Sequence, residues 1–171
     1  MDLQTRTKKA RKVRYLILDV DGILTNGNIF YDEEGREIKA FSIYDGYGIR
    51  LLQNANIGVG VISGRASAVV SKRLKELHIE DLYQGAEDKG LAYDEICKRR
   101  QLTDDVTAFM GDDLIDLSVF RRVGLAISVP NAMDIVKAEA HWITKRRGGE
   151  GAVREVADFI LKVQGNKTNI Q

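Results

Sequence analysis

Apolar residues recur along this chain with two different periods, and the periods alternate. Tyr15-Leu16-Ile17-Leu18 is a short unbroken apolar run that stops at Asp19-Val20-Asp21-Gly22. Ile57 to Ile62 repeats the pattern and stops at Ser63-Gly64-Arg65; Val106 to Met110 stops at Gly111-Asp112-Asp113. Runs of this kind predict strands buried on both faces, as in a parallel sheet. Leu125 to Val129 and His141 to Thr144 are weaker strand candidates. Between the runs the spacing turns helical: Ile49, Leu51, Leu52 and Ala55; Val69, Val70, Leu74 and Leu77; Leu91, Tyr93, Ile96 and Cys97. Val153, Val156, Ala157, Ile160 and Leu161 mark a closing helix. Strands alternating with helices predict an α/β fold, a doubly wound parallel sheet with right-handed crossovers.

One segment breaks the rhythm. Asn28 to Tyr31 and Ile38 to Ser42 flank Asp32-Glu33-Glu34-Gly35-Arg36 and predict a β-hairpin over about residues 28–42. It stands where a βα unit would begin its helix. Its Ile29, Phe30, Tyr31, Ile38 and Phe41 offer more apolar surface than a lone ribbon keeps in water, which predicts a lid that also assembles with another copy. Pro130 falls in a loop before an expected helix start at Asn131.

Length and charge narrow the classes. The chain has 171 residues, suited to one domain, with 26 Lys plus Arg against 25 Asp plus Glu. The near-neutral balance gives no global basic field for nucleic acid. The basic N-terminal residues Arg6, Lys8, Lys9, Arg11, Lys12 and Arg14 are expected to form a solvated leading helical turn. No apolar run is long enough to span a membrane, no signal-peptide stretch opens the sequence, and Cys97 is the one cysteine. A cytoplasmic protein is the expectation.

Chemistry concentrates where the buried runs end. Asp19 and Asp21, Ser63, and Asp112, Asp113 and Asp116 would share the crevice at the carboxyl edge of the sheet, where open α/β sheets bind ligands. Two carboxylates about 4 Å apart repel by roughly 4 kcal/mol at an effective dielectric near 20. A cation must offset that, and oxygen donors beside a phosphate favour Mg²⁺. Lys89, opening a helix after Leu82-Tyr83-Gln84, can bring an ammonium to the same place. This set is chemically complete for phosphoryl transfer: Asp19 as nucleophile, Asp21 as acid and base, Ser63 and Lys89 holding phosphoryl oxygens. Asp113 and Asp116 either support the site from behind or only cap a helix. Arg73 lies near Lys72 and Lys75 and reads either as a substrate contact or as a solvated face. His78 and His141 are too isolated to ligate a metal.

Asp19-Val20-Asp21-Gly22-Ile23-Leu24-Thr25, Ser63-Gly64-Arg65, Lys89 and Gly111-Asp112-Asp113-Leu114-Ile115-Asp116 resemble the four ordered motifs of the haloacid dehalogenase superfamily of phosphatases. Phe41 to Arg50 and Gly148 to Glu155 are similar to segments of the 3-deoxy-D-manno-octulosonate 8-phosphate phosphatases within it. The spans from Asp21 to Ser63 and from Lys89 to Asp112 are too short to house a cap domain, so an uncapped site must exclude water by other means. The resemblance implies a homotetramer whose neighbours cover the site. It also implies Mg²⁺ on Asp19, the Asp21 carbonyl and Asp112, and substrate contacts at Asp21, Ser42, Ile43, Tyr44, Asp45, Gly46, Arg50, Arg65, Arg73 and Lys89. The implied reaction frees a keto-deoxy sugar for lipopolysaccharide synthesis. Tyr44 stands where many relatives carry arginine, which keeps a nonulosonate 9-phosphate as an alternative substrate. A phospho-accepting receiver domain is the alternative from another class. The glycines between Arg146 and Arg154 are expected to complete a phosphosugar pocket, that of a neighbouring subunit.

Overall fold

The structure, a computed structural model, describes residues 2–166. Strands β1 (Tyr15–Leu18), β4 (Gly58–Ile62), β5 (Asp81–Tyr83), β6 (Thr107–Met110), β7 (Leu125–Ser128) and β8 (Trp142–Ile143) form one parallel sheet in the order β5-β4-β1-β6-β7-β8. Two further strands, β2 (Phe30–Tyr31) and β3 (Glu37–Ile38), pair antiparallel in a separate ribbon. The expected doubly wound fold is the observed one.

The unbroken apolar character of β1 follows from burial on both sides. Leu16 and Leu18 pack towards helices α1 (Leu3–Lys12), α2 (Ile43–Asn54), α3 (Ala68–Glu76) and α7 (Ala152–Val163). Tyr15 and Ile17 pack towards α4 (Lys89–Arg100), α5 (Leu117–Phe120) and α6 (Asp134–Glu139). Strand order reverses beside β1, which pairs with β4 on one edge and β6 on the other. The carboxyl ends of these three strands therefore open on the switch point where such sheets bind ligands.

Three local expectations are corrected. The basic N-terminus is helical as expected but runs for ten residues and docks on the domain, where the expectation was a single solvated turn. Its charges are put to structural use: Arg6 lies 4.8 Å from the centroids of both Trp142 and Phe159, and Lys9 donates to the Gly124 carbonyl at 2.7 Å. The helix after Pro130 starts at Asp134, not Asn131. Asn131 instead bridges two loops, donating to the Gly22 carbonyl (3.2 Å) and accepting from the Gly148 N–H (2.9 Å). The hairpin is shorter than 28–42, since β3 ends at Ile38 and Ser42 already caps α2. Ile29, Phe30, Tyr31 and Ile38 on it are exposed.

Helices α2 and α7 lie close because Gly48 faces the Arg154 backbone, where a Cβ would be tight. Gly151, at the N-cap of α7, has a φ of +99° and no side chain to cap with. Asp45 supplies the cap from α2: its carboxylate accepts from Gly151 N–H at 3.1 Å and Arg154 N–H at 2.9 Å. Asp45→Ala should therefore destabilise the chain by about 1–3 kcal/mol, by orphaning buried N–H groups. In urea, a lower midpoint with an unchanged slope is expected; an unchanged midpoint would refute the cap.

Candidate active site

Asp19 follows the last residue of β1, and its N–H still pairs with the Met110 carbonyl of β6 (2.9 Å). The chain then coils through a single turn in which the N–H groups of Ile23, Leu24 and Thr25 all converge on the Val20 carbonyl. Gly22 sits on this turn with φ +91°, and a Cβ there would collide with the Asp112 carboxylate. Only glycine lets the first loop approach Asp112 so closely.

Asp112 arrives from β6. Its N–H, with that of Asp113, donates to Asp116 Oδ2 (2.9 and 3.0 Å). Asp116 is fully buried, and its Oδ1 meets Lys89 Nζ at 2.6 Å. Lys89 also reaches Asp19 Oδ1 at 2.7 Å, with its side chain wholly inaccessible. A lysine in the first turn of a helix opposes the helix dipole, so position alone does not favour it there. The two carboxylates do: they outweigh burial and hold the Lys89 pKa above its ordinary value. Of the two residues left open between support and capping, Asp116 orients the site from behind. Asp113 is exposed and caps the short turn after β6 through Leu114 N–H (2.7 Å).

Carboxylate oxygens of Asp19, Asp112 and Asp116 all lie within 4.8 Å of one another. Three carboxylates against one ammonium leave the pocket two negative charges in excess. Burial first, then the neighbouring carboxylates, push Asp112 up to about 8; burial above all pushes Asp19 up to about 6. Asp112 Oδ1 is buried without a hydrogen-bond partner. An all-oxygen donor set, an orphaned carboxylate oxygen and an excess of two negative charges fit a small hard dication, and Mg²⁺ meets that description.

A pH dependence follows. Both folded-state values lie above the ordinary carboxylate value of 3.8, so the metal-free fold binds more protons than the unfolded chain. Its stability is then fully present below that value and is lost as pH rises through about 6 and about 8. Bound Mg²⁺ requires the ionised carboxylates and stabilises increasingly with pH. Melting in EDTA should fall between pH 6 and 8.5, and the gain on adding Mg²⁺ should widen. A gain independent of pH would contradict this cluster as the metal site.

Ser63 follows β4 and is buried, its Oγ accepting from Arg65 N–H at 3.3 Å. Among the remaining expected residues, Ser42, Asp45, Gly46 and Arg73 line one niche together with Phe41 and Leu24. Arg65 is turned to Glu37 of β3 at 2.9 Å. Arg50 is half-buried on α2. Ile43 and Tyr44 are exposed and are not gathered with the acidic cluster in one chain. Tyr44 instead edges an open groove of about 630 Å³ with Arg146, Arg154 and Asp158. Gly148 and Gly149 pack on the 22–26 loop of their own chain, with Gly149 N–H donating to Ile23 (2.9 Å), so the same chain explains these glycines.

The roles of two residues escaped the sequence reading. Asn131 is read as a helix start, and nothing local to it signals its role as the loop bridge. Lys39 is buried against Asp21 and 3.4 Å from Glu37. Its signal was the alternation Glu37-Lys39-Phe41, which puts a charged pair on the inner face of the hairpin.

The comparisons with known proteins agree with this geometry. The sequence profile of the haloacid dehalogenase-like hydrolases matches residues 79–156. The 3-deoxy-D-manno-octulosonate 8-phosphate phosphatase of Yersinia pestis is 43% identical over 157 residues, 92% of this chain and 84% of the relative. A solved structure of the Yersinia pestis enzyme superposes with a TM-score of 0.94 at 41% identity, covering 96% of this chain and 89% of that one. The Moraxella catarrhalis phosphatase, solved with magnesium, phosphate and the octulosonate, gives 0.94 at 42% identity over 96% and 95%. Matches of this extent leave no room for the receiver-domain alternative, and the chain belongs to the 3-deoxy-D-manno-octulosonate 8-phosphate phosphatases, a family of haloacid dehalogenase-like hydrolases.

Proposed function

We propose that this chain is a Mg²⁺-dependent phosphomonoesterase that hydrolyses 3-deoxy-D-manno-octulosonate 8-phosphate to the free sugar and phosphate. The observation that carries this reading is the cluster of Asp19, Asp112, Asp116 and Lys89 at the sheet's switch point, in a chain 43% identical to a phosphatase of that substrate. Asp19 attacks phosphorus; the Asp19–phosphorus bond forms as the bond to the sugar oxygen breaks. Asp21 gives its proton to that oxygen, then takes one from the water that hydrolyses the aspartyl phosphate. Ser63 and Lys89 hold phosphoryl oxygens. Asp19, the Asp21 carbonyl and Asp112 would hold Mg²⁺, which neutralises charge on the phosphoryl group when bound.

Sugar recognition falls to Ser42, Asp45, Gly46, Arg50, Arg65 and Arg73, of which Ser42, Asp45, Gly46 and Arg73 line one niche. Ile43 and Tyr44 act in an assembly, and so do the exposed apolar residues of the hairpin, which support a homotetramer. The freed sugar supplies lipopolysaccharide synthesis, in the cytoplasm. No helix among the described residues is long and apolar enough to cross a membrane.

A phosphate-release screen tests the reading. With Mg²⁺, the 8-phosphate should be preferred at least tenfold in kcat/KM over a nonulosonate 9-phosphate, hexose phosphates and nucleotides. EDTA should abolish release, and light scattering should return the mass of four chains. A preference for the 9-phosphate would move the substrate to that sugar class; no release from any ester would overturn the proposal.

A further inference from the structure

Lys39 lies on the flap, outside the four motifs that carry the phosphoryl chemistry. Its neighbours Ile38 and Ala40 are exposed, yet the Lys39 side chain is wholly inaccessible. At Lys39 the flap thus hides a charge between two exposed apolar neighbours, the reverse of what burial energetics favour at such a position. Enclosing an ammonium costs several kcal/mol unless good partners surround it. The partners are specific. Lys39 Nζ binds Asp21 Oδ1 and lies 3.4 Å from Glu37. Glu37 in turn accepts from Arg65 at 2.9 Å and from the Ser67 hydroxyl that caps α3. One chain of polar contacts runs from the loop after β4, through the flap, to the side chain of Asp21.

We propose that Lys39 is a positioning residue for Asp21. Its ammonium engages one oxygen of that carboxyl and leaves Oδ2 to the ester oxygen, while Glu37 fastens the Lys39 strand to the loop after β4. The inference rests on the phosphatase reading and deepens it. In the first step the proton of Asp21 goes to the sugar oxygen as the bond from that oxygen to phosphorus breaks and the Asp19–phosphorus bond forms. A leaving group that departs without a proton does not need Asp21 so placed.

The test compares Lys39→Met, Lys39→Arg and Glu37→Gln with wild type, each loaded with Mg²⁺. The substrates are the octulosonate 8-phosphate and 4-nitrophenyl phosphate, whose nitrophenolate leaves unprotonated. For Lys39→Met, kcat on the sugar ester should fall at least tenfold with KM within threefold. The nitrophenolate burst, which reports the first step alone, should slow less than threefold. Lys39→Arg should restore most of the loss, and Glu37→Gln should give the same leaving-group pattern at smaller size. Equal losses on both substrates would make Lys39 a structural residue and overturn the proposal, as would no loss on either. Wild type inert on the sugar ester but active on the aryl ester would refute the substrate reading instead. A series of aryl phosphates of rising leaving-group pKa then decides on Lys39: a loss that grows along it supports the positioning role, and a flat one overturns it.

Discussion

Asp19→Asn should lower phosphate release by about 10⁵-fold or more while leaving a well-folded chain. An amide has no oxygen nucleophilic enough to attack phosphorus, and its nearest neighbours are poorly suited to replace it. Lys89 is cationic, Asp116 is turned to the Asp112 and Asp113 N–H groups, and Ser63 Oγ has no base beside it among the described residues. The variant should not lose stability in EDTA. Asp19 is one of three clustered carboxylates facing a single ammonium, and burial already holds its pKa up at about 6. Deleting its charge relieves repulsion that the metal-free fold otherwise meets by taking up a proton. Phosphate release and thermal melting should therefore part company: turnover lost, with the EDTA melting point equal or higher near pH 8. Turnover within tenfold of wild type would remove Asp19 as the nucleophile.

Most of the framework that brings these groups together was legible in the chain. Each strand of the central three reads as unbroken apolar sequence because both faces are covered, and each ends on the polar residues that line the crevice. Legibility failed where a contact joins positions that share no period. Asp45 is expected as a substrate contact from its place in a similar segment; that it also caps a helix more than 100 residues onward is not legible there. Asn131 looked like a helix start, because an amide after proline is a common one; the Gly22 and Gly148 backbones claim it instead. Asp81 carries no pattern in its three-residue strand that marks it, yet it is fully buried and pairs with Tyr15, Arg99 and Arg100. Asp116 stayed ambiguous because capping and supporting carboxylates have the same local sequence; only the distance to Lys89 separates them.

Lys89→Met should cost about 3–5 kcal/mol of folding stability, the largest loss expected from any single change at the site. For a chain of this size that lowers the melting point by roughly 6–20 °C. Methionine fills nearly the same volume, so no cavity accounts for the loss. What disappears is the one ammonium that touches both Asp19 and Asp116, at 2.7 and 2.6 Å. Its loss raises the excess from two negative charges to three. Asp112 and Asp19 are pushed up to about 8 and about 6 even with Lys89 beside them and rise further without it, so protonation replaces the missing cation more readily in acid than in base. The destabilisation should accordingly be larger at pH 8.5 than at pH 5.5, both measured in EDTA. Mg²⁺ should recover more of the melting point in Lys89→Met than in wild type, since it meets a larger excess of negative charge. Activity should not return with the fold, because the cation holding the phosphoryl oxygens is gone. A loss of stability equal at both pH values, and indifferent to Mg²⁺, would show that Lys89 acts through packing and that the pocket carries no such excess of negative charge.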